Sequence, residues 1–402
     1  MQFNSVIGQK DTKEQLVQLV QHNRLSHALL FLGKEGSGAL NLALAFAQFV
    51  VCEKVNGKNT AVAEPSLFGE PDPGPDPASF NDSCGECPAC TKAAALVHPD
   101  IHFSYPVITK KPGEKPISTD FISEWREFVA KEPYGDVYDW LQFIGAENKQ
   151  GNITATECND IIRKLNLKSF ESEYKILIMW MPEFLGKEGN KLLKLIEEPP
   201  ANTLFILVAE NESEILPTIL SRTQLVKIPR LSNLDVEAAL ELREGVAMEK
   251  AQQIAAVAGG SYREALQLLQ HAEDDWQAML REWLNAILRT GPAAQVKWIE
   301  ETAKMGREKQ KQFLKYFIHL LEQAIRFRTI DNENDQPDIR NDADFALRLN
   351  RICSIPQQEA LVEELNKASY YIERNANGKM LFHALSIRIY HIISNNSLIL
   401  MD

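Results

Sequence analysis

A glycine-rich turn near the N-terminus restricts the fold of this chain more than any other feature. Its glycines are Gly33, Gly36 and Gly38; they follow an apolar run at 28–32 and precede an apolar helix predicted over 39–50. Strand, glycine turn and helix in this order are typical of phosphate-binding loops, in which backbone N–H groups surround the phosphates. An ordinary surface turn is the alternative. The order favours an α/β domain whose three glycines would bind a cofactor phosphate.

The turn lacks the two side chains that act on ATP. An active loop carries a Lys for the β- and γ-phosphates and a Ser or Thr for Mg²⁺, but Ala39 and Leu40 fill these positions. A later apolar strand ends at Trp180 and Met181. At these positions an ATPase of this kind would carry an Asp that binds Mg²⁺ and a Glu that activates water. Glu183 is the acidic residue nearby. We therefore predict a degenerate loop, and no ATP hydrolysis.

The remainder of the chain divides into an alternating part and a helical part. Apolar runs at 174–180, 203–208 and 224–228 alternate with helices predicted at 189–196 and 216–220. Strands that alternate with helices imply a parallel sheet. From residue 275 onward no strand pattern is present, and apolar residues recur at helical spacing.

Length and charge limit the class of protein. With 402 residues, 45% of them hydrophobic, the chain is long enough for two or three domains. The net charge of −12 argues against a protein that binds nucleic acid mainly by itself. No apolar run approaches the roughly 18 residues of a membrane span, and the first residues lack a signal-peptide pattern. We expect a cytoplasmic location.

Four cysteines form a metal-binding pattern. Cys84, Cys87 and Cys90 are separated by two residues each, and Cys52 follows the helix after the glycine turn. Such knuckles allow four thiolates to hold a structural zinc with no open coordination position. Reduced free thiols are the alternative, and His98 is a second candidate for the fourth ligand. We predict one Zn²⁺ at Cys52, Cys84, Cys87 and Cys90.

Two excursions interrupt the pattern, and no chemistry is assigned to either. The segment 55–83 is rich in Pro and Gly, which prevents helix or central strand. The segment 108–150 contains apolar helices near 121–128 and 137–143. The acidic run at 331–338 is predicted to be a solvated loop.

Several motifs together make the chain resemble the bacterial clamp-loader subunits of the AAA+ class, and within that class the delta-prime subunits of DNA polymerase III. The resemblance covers most of residues 1–230 outside the excursions. Its most distinctive part is the combination of Glu-Glu-Pro-Pro at 197–200 with Ser-Arg at 221–222. The other matching segments are 3–9, 25–31, the four cysteines, 98–100, 190–196 and 216–223.

The resemblance implies a role for Arg222. The family's Ser-Arg-Cys motif is Ser221, Arg222 and Thr223 here, so the cysteine is replaced and the arginine is kept. In clamp loaders this arginine reaches the γ-phosphate of ATP on a neighbouring subunit, which suits a guanidinium because it is always charged and pairs with two oxygens at once. An ordinary surface ion pair is the alternative. Arg263 matches a position that senses phosphate in active relatives, and a packing role is predicted for it here.

The resemblance also implies architecture and partners. We expect an AAA+ domain with a zinc-binding insertion at 1–229, a helical lid at 230–273 and a helical collar at 274–402. The chain would be a non-hydrolysing stator in a hetero-pentamer with gamma/tau-type ATPase subunits and a delta subunit, which loads the sliding clamp on primed DNA. An active AAA+ ATPase, the motor subunit of the same loader, is one alternative. A zinc-containing adaptor unrelated to replication is another.

Overall fold

The computed structural model describes residues 1–56, 80–109, 113, 115–146, 151–270, 276–329, 340–373 and 376–395. The chain divides into two compact units, Met1–Leu266 and Gln267–Asp402. Most of the Pro-rich excursion and the acidic run at 331–338 lie outside the described residues. The boundaries predicted at 229 and 273 stay predictions.

The first unit is built on a parallel sheet of five strands. The strands are β1 (Ala28–Gly33), β2 (Ile101–Ser104), β3 (Lys175–Trp180), β4 (Thr203–Ala209) and β5 (Gln224–Ile228). Their order is β2-β3-β4-β1-β5, and every pair is parallel. This sheet, followed by a helical C-terminal part, confirms the predicted α/β AAA+ fold class. β2 is absent from the sequence prediction.

Both faces of the central strands β1, β3 and β4 are covered, which explains why these strands are apolar along most of their length. β5, at the edge, has Gln224, Leu225 and Lys227 exposed. Alternate residues of a strand point to opposite faces. In β1, Leu29 and Phe31 therefore belong to one core cluster and Leu30 to the other. The first cluster contains helix α2 (Ala39–Val51), of which every residue is buried. A helix buried all round needs apolar residues on all its faces.

Short helices complete the first unit. They are α1 (Lys10–Gln21), α3 (Pro88–Ala94), α4 (Ile122–Lys131), α5 (Val137–Phe143), α6 (Ala155–Leu165), α7 (Leu193–Glu197), α8 (Pro217–Leu220), α9 (Asn233–Glu244), α10 (Met248–Ala258) and α11 (Tyr262–Gln270). The helix predicted over 189–196 is partly wrong. Residues Pro182–Leu192 form 3-10 turns interrupted at Gly186, whose φ of 50° is not helical, so α-helix begins only at Leu193.

The second excursion is folded against the sheet through aromatic side chains. Trp125 on α4 stacks on Tyr105 at 4.2 Å between ring centroids and lies 5.2 Å from Trp180 at the end of β3. Trp140 on α5 contacts Trp125 edge to face and donates a hydrogen bond from its indole N–H to the Pro106 carbonyl at 2.7 Å. Buried aromatic pairs in such geometries contribute beyond the area that they bury. The excursion is therefore part of the core of the first unit.

The second unit is helical throughout its described residues. Its helices are α12 (Trp276–Asn285), α13 (Pro292–Thr302), α14 (Arg307–Thr329), α15 (Arg340–Ile352), α16 (Ile355–Glu373) and α17 (Gly378–Asn395), with a π-helical turn at Ala286–Thr290. Trp283 lies at its centre, stacked on Trp298 with centroids 4.8 Å apart. Among the described helices, none has the length and apolarity needed to cross a bilayer.

Candidate functional site

The glycine turn lies between β1 and α2, as predicted, and has the backbone conformation that glycine permits. Gly36 and Gly38 have φ of 70° and 85°, which side chains other than glycine rarely adopt. The Gly36 carbonyl accepts a hydrogen bond from the N–H of Tyr262, the first residue of α11, at 3.1 Å. The turn therefore touches the helical segment predicted to be the lid.

The volume at the turn is too small for a nucleotide. Ala39 and Leu40 are buried at the start of α2, and Tyr134, Trp180 and other residues close over the turn. The cavity that remains is about 30 Å³, whereas small-molecule sites enclose roughly 300–1,000 Å³. In this conformation a triphosphate has no room beside Gly33, Gly36 and Gly38.

Acidic groups surround the same turn. Burial raises the pKa of Glu210 well above its ordinary value, and the neighbouring carboxylates of Asp136 and Glu35 raise it further. Burial also raises the pKa of Glu183, which accepts backbone N–H groups of Glu210 and Asn211 at 2.7 and 2.9 Å. Glu183 is thus engaged with the backbone at the end of β4.

Arg263 lies in this acidic environment and is paired within the chain. Its side chain is only 4% exposed. Its guanidinium donates to both carboxylate oxygens of Asp139, at 2.7 Å from Nη2 and 2.5 Å from Nε, and Asp136 lies 3.4 Å from Nη2. A buried guanidinium requires such bidentate partners. This arrangement supports the predicted packing role of Arg263.

The structure brings the four predicted metal ligands together. The sulfur atoms of Cys52, Cys84, Cys87 and Cys90 all lie within 4.8 Å of one another. Zn–S bonds of about 2.3 Å place the sulfurs of a tetrahedral site about 3.8 Å apart, and Cys84 and Cys90 are separated by 3.8 Å. His98 is outside this group; its Nδ1 accepts the N–H of Asp100 at 3.1 Å.

The chemistry of the four thiols also fits a cation. The N–H groups of Cys84, Cys87 and Cys90 each donate to a sulfur of the group at 3.4 Å, as outer hydrogen bonds do around thiolate ligands. The hydrogen bond from the Cys90 thiol lowers the pKa of Cys52 to about 4, and the same contact raises the pKa of Cys90. A divalent cation bound between the four sulfurs would stabilise all of them as thiolates. The group can hold a metal, and zinc is the ion that four thiolates favour.

Arg222 and Ser221 lie at the end of α8, on the surface. The Arg222 side chain is 34% exposed and is hydrogen-bonded to Glu197 and to the Thr218 carbonyl. The Ser221 hydroxyl donates to the Thr218 carbonyl at 3.2 Å and accepts from Arg222 Nη1 at 3.1 Å. The structure thus joins the two distinctive motifs, because Glu197 is the first residue of the Glu-Glu-Pro-Pro segment.

Sequence reasoning missed three residues of this site, namely Tyr134, Asp136 and Asp139. All three belong to the excursion to which no chemistry was assigned. The local pattern shows only that Asp136 precedes a helix, where its side chain caps the N–H of Asp139 at 2.9 Å. The contact with Arg263 joins residues 124 positions apart.

Comparison with known proteins identifies relatives. A family model described as "DNA polymerase III, delta subunit" matches residues 8–65 and 76–232, just over half of the chain. The chain is 27% identical over 318 residues to DNA polymerase III subunit tau of Bacillus subtilis (strain 168), an alignment that spans 76% of this chain and 44% of that protein.

Two delta' subunits are also similar. The chain is 25% identical over 221 residues to DNA polymerase III subunit delta' of Bacillus subtilis (strain 168), which spans 55% of this chain and 47% of the relative. It is 24% identical over 319 residues to DNA polymerase III subunit delta' of Escherichia coli (strain K12), an alignment that spans 78% of this chain and 74% of that protein. The chain thus spans less than half the length of the two Bacillus relatives.

Proposed function

This chain belongs to the DNA polymerase III delta subunit family of clamp-loader proteins, and from that membership we propose that it is a delta-prime-type clamp-loader subunit that does not hydrolyse ATP. One observation carries the proposal, the closed phosphate turn with Ala39 and Leu40 in place of the catalytic pair. Phosphoryl transfer is catalysed by positioned cations and hydrogen-bond donors. A turn in which Ala39 and Leu40 replace the Lys and the Ser or Thr lacks the side chains that would stabilise the transferred phosphoryl group.

The chemistry would take place on a neighbouring subunit, to which this chain contributes Arg222. The guanidinium is exposed, and its partner Glu197 is also on the surface. A γ-phosphate presents more negative charge than a carboxylate, so it can replace Glu197 as the partner of Arg222. Ser221 would hold the guanidinium from the side through its hydroxyl oxygen.

The proposed assembly is a hetero-pentamer with gamma/tau-type ATPase subunits and a delta subunit, which opens the sliding clamp and places it on primed DNA. The chain would act as the stator, with an AAA+ domain at 1–229, a lid at 230–273 and a collar at 274–402. The net charge of −12 favours DNA contact through the complex rather than by this chain alone. The zinc would be structural, since four cysteines leave no open coordination position.

Similarity to a tau subunit supports a second candidate, an active ATPase of the same loader. The residues at the turn oppose it, because neither Ala39 nor Leu40 can contact a phosphate or Mg²⁺ through a polar group. One carboxylate oxygen of Glu183, Oε1, accepts two backbone N–H groups, which holds this side chain at the end of β4.

The test is steady-state phosphate release by the purified chain, alone and reconstituted with gamma/tau-type and delta subunits, clamp and primed DNA. We expect the rate of phosphate release by the isolated chain to equal the rates of its Glu183→Gln variant and of the buffer blank. Omission of the chain from the reconstituted mixture should abolish clamp loading. Release by the isolated chain above that of Glu183→Gln would identify it as the ATPase. Full clamp loading without the chain would refute the loader role.

A further inference from the structure

We propose that residues 133–139, here called the plug, occupy the place of a nucleotide and hold helix α11 against the glycine turn. The plug lies within the second excursion, between α4 and the first turn of α5. Its contacts would fix the relation between turn and helix without any bound ligand. The inference goes beyond the proposed function, because it concerns what closes this site and holds whether or not the chain serves in a loader.

Tyr134 connects the turn with the helical segment after the sheet. It is 4% exposed, and its ring lies 3.0 Å from the position that a Cβ on Gly38 would take. Its hydroxyl oxygen accepts the backbone N–H of Ile7 at 2.9 Å. Its ring meets that of Tyr262 on α11 edge to face at 5.0 Å, and the Arg243 guanidinium lies 5.9 Å from both ring centres.

The carboxylates of the plug supply what a phosphate would supply to Arg263. The Asp139 carboxylate accepts two hydrogen bonds from the Arg263 guanidinium in bidentate geometry. Asp136 adds a second carboxylate, whose Oδ2 lies 3.4 Å from Arg263 Nη2. The two aspartates also hold each other in place, since each carboxylate accepts the other residue's N–H, at 2.9 and 3.0 Å. Oxygens fixed in this way are pre-organised for an arginine.

Helix α4, which precedes the plug, packs against a residue at the degenerate site itself. Trp180 occupies the strand end where an active enzyme would carry a carboxylate, and it packs against Trp125 and Phe128 of α4. The substitution that removes the metal ligand thus also supplies the surface on which the excursion folds. Loss of catalytic groups and closure of the site are parts of one arrangement.

Hydrogen exchange on the full chain tests the plug directly. In the double variant Asp136→Asn and Asp139→Asn, the Tyr262 amide, which bonds the Gly36 carbonyl, is expected to exchange at least about tenfold faster, because hydrogen bonds to charged groups are among the stronger ones. The exchange rates of the amides in β3 and β4 should not change. Glu127→Gln is the control; it removes an exposed carboxylate of the same excursion. Unchanged exchange at Tyr262, or an equal increase across the sheet, would overturn the proposal.

A binding experiment supplies the second readout. Ala39→Lys with Leu40→Thr restores the missing loop side chains, and binding of a fluorescent ATP analogue is measured with and without Tyr134→Ala. We expect binding only when Tyr134→Ala is present. Binding by the restored loop with Tyr134 intact would overturn the proposal, and so would absence of binding in both, because Tyr134 would not then be what closes the site.

Discussion

Arg222 donates a hydrogen bond from Nε to the carboxylate of Glu197 at 2.6 Å. The two side chains are 34% and 45% exposed, and exposed ion pairs contribute only about 0–1 kcal/mol to stability. Arg222 can therefore leave Glu197 for a more highly charged partner with little loss of folding stability. The ion pair holds the arginine at the surface, and in the proposed role the guanidinium would leave Glu197 for a phosphate of another subunit.

Substitution of Arg222 is predicted to impair the assembled loader without unfolding this chain. Arg222→Ala should lower ATP turnover at the neighbouring site by a factor on the order of 10³–10⁵, the typical effect of a lost arginine finger. The free energy of unfolding should remain within about 0.5 kcal/mol of the wild-type value. Turnover and clamp loading by reconstituted loaders measure the first effect, and urea denaturation measures the second.

The control for Arg222 is Arg163→Ala, which removes another exposed arginine that is paired with a carboxylate, that of the largely buried Asp160. It should leave turnover and loading unchanged. If Arg222→Ala also leaves DNA-stimulated turnover unchanged, Arg222 is a surface charge, and the proposed trans role is wrong even though the family assignment stands.

Metal content is predicted to depend on the cysteine group. Cys87→Ser should lose the zinc, about one ion per chain in the wild type, and should destabilise the first unit, because metal binding contributes to folding free energy. Cys158→Ser, which changes a buried cysteine elsewhere in the same unit, should keep the metal. Elemental analysis of protein purified without chelator measures both.

Wild-type protein without zinc would contradict the prediction. Full metal content in Cys52→Ser would reassign only the fourth ligand, and His98 would then become a candidate again.

The sheet could largely be predicted from sequence because its signal is local. Central parallel strands are apolar along most of their length, so the sequence predicts β1, β3 and β4, and the short run that contains Leu225, Val226 and Ile228 predicts β5 at the edge. The four-residue edge strand β2 contains His102 and Ser104 and has no such run. The cysteine group was found for the same reason, since its three knuckle ligands lie within seven residues.

The closure of the phosphate site could not be predicted in this way. It depends on Asp139 meeting Arg263, and no local pattern reports a contact between residues 124 positions apart. The sequence predicts that Trp180 departs from an active site, and this stays a prediction, whereas the packing of Trp180 against Trp125 depends on where the excursion folds. Departures from a motif can be seen in the chain, but the contacts made by the replacing residues require the structure.

Asp100 is predicted to make stability depend on acid pH. Burial raises its pKa, but the N–H groups of Ser172, Phe170 and Glu171, at 2.6–2.7 Å, more than offset this, so the pKa lies below its ordinary value. A carboxyl group with a lowered folded-state pKa stabilises the fold above its unfolded-state pKa, and the contribution is lost as pH falls through the folded-state value.

Asp100→Asn should therefore cost about 1.5–3 kcal/mol of unfolding free energy at pH 7, as expected for hydrogen bonds to a charged acceptor. The difference from the wild type should narrow as pH falls below about 3.9, the ordinary pKa of an aspartate. Urea denaturation of both proteins at pH 7 and pH 3 measures the two differences. Equal differences at the two pH values would show that the charge of Asp100 is not the cause.

Gly36 is predicted to tolerate no side chain, because of its neighbour as well as its backbone. A Cβ there would lie 2.1 Å from the Ser261 hydroxyl, whereas Gly245, with a similar positive φ, has open space around it. Both Gly→Ala changes carry about 1–2 kcal/mol of left-handed strain. Gly36→Ala should cost roughly 1–3 kcal/mol more, the usual cost of overpacking. Equal unfolding free energies for the two variants would mean that turn and α11 separate readily.

Trp283 is predicted to determine the stability of the second unit. It is fully buried, stacks on Trp298 with the planes 4° apart, and donates its indole N–H to the Ser386 hydroxyl at 2.9 Å. Trp283→Ala should cost about 3–5 kcal/mol, the range for a buried tryptophan. Ile387→Ala, which shortens a side chain 57% exposed on the same helix as Ser386, should change stability by less than about 0.5 kcal/mol.

The same variant tests the proposed collar at 274–402. If this segment joins the subunits, Trp283→Ala should reduce co-purification with gamma/tau-type and delta subunits, while hydrogen exchange of β1 and β4 in the first unit stays at the wild-type rate. Unfolding of this unit with undiminished assembly would show that the contacts between subunits are made elsewhere. The comparison is informative because Trp283 is fully buried, so its loss can affect assembly only through the fold of the unit that contains it.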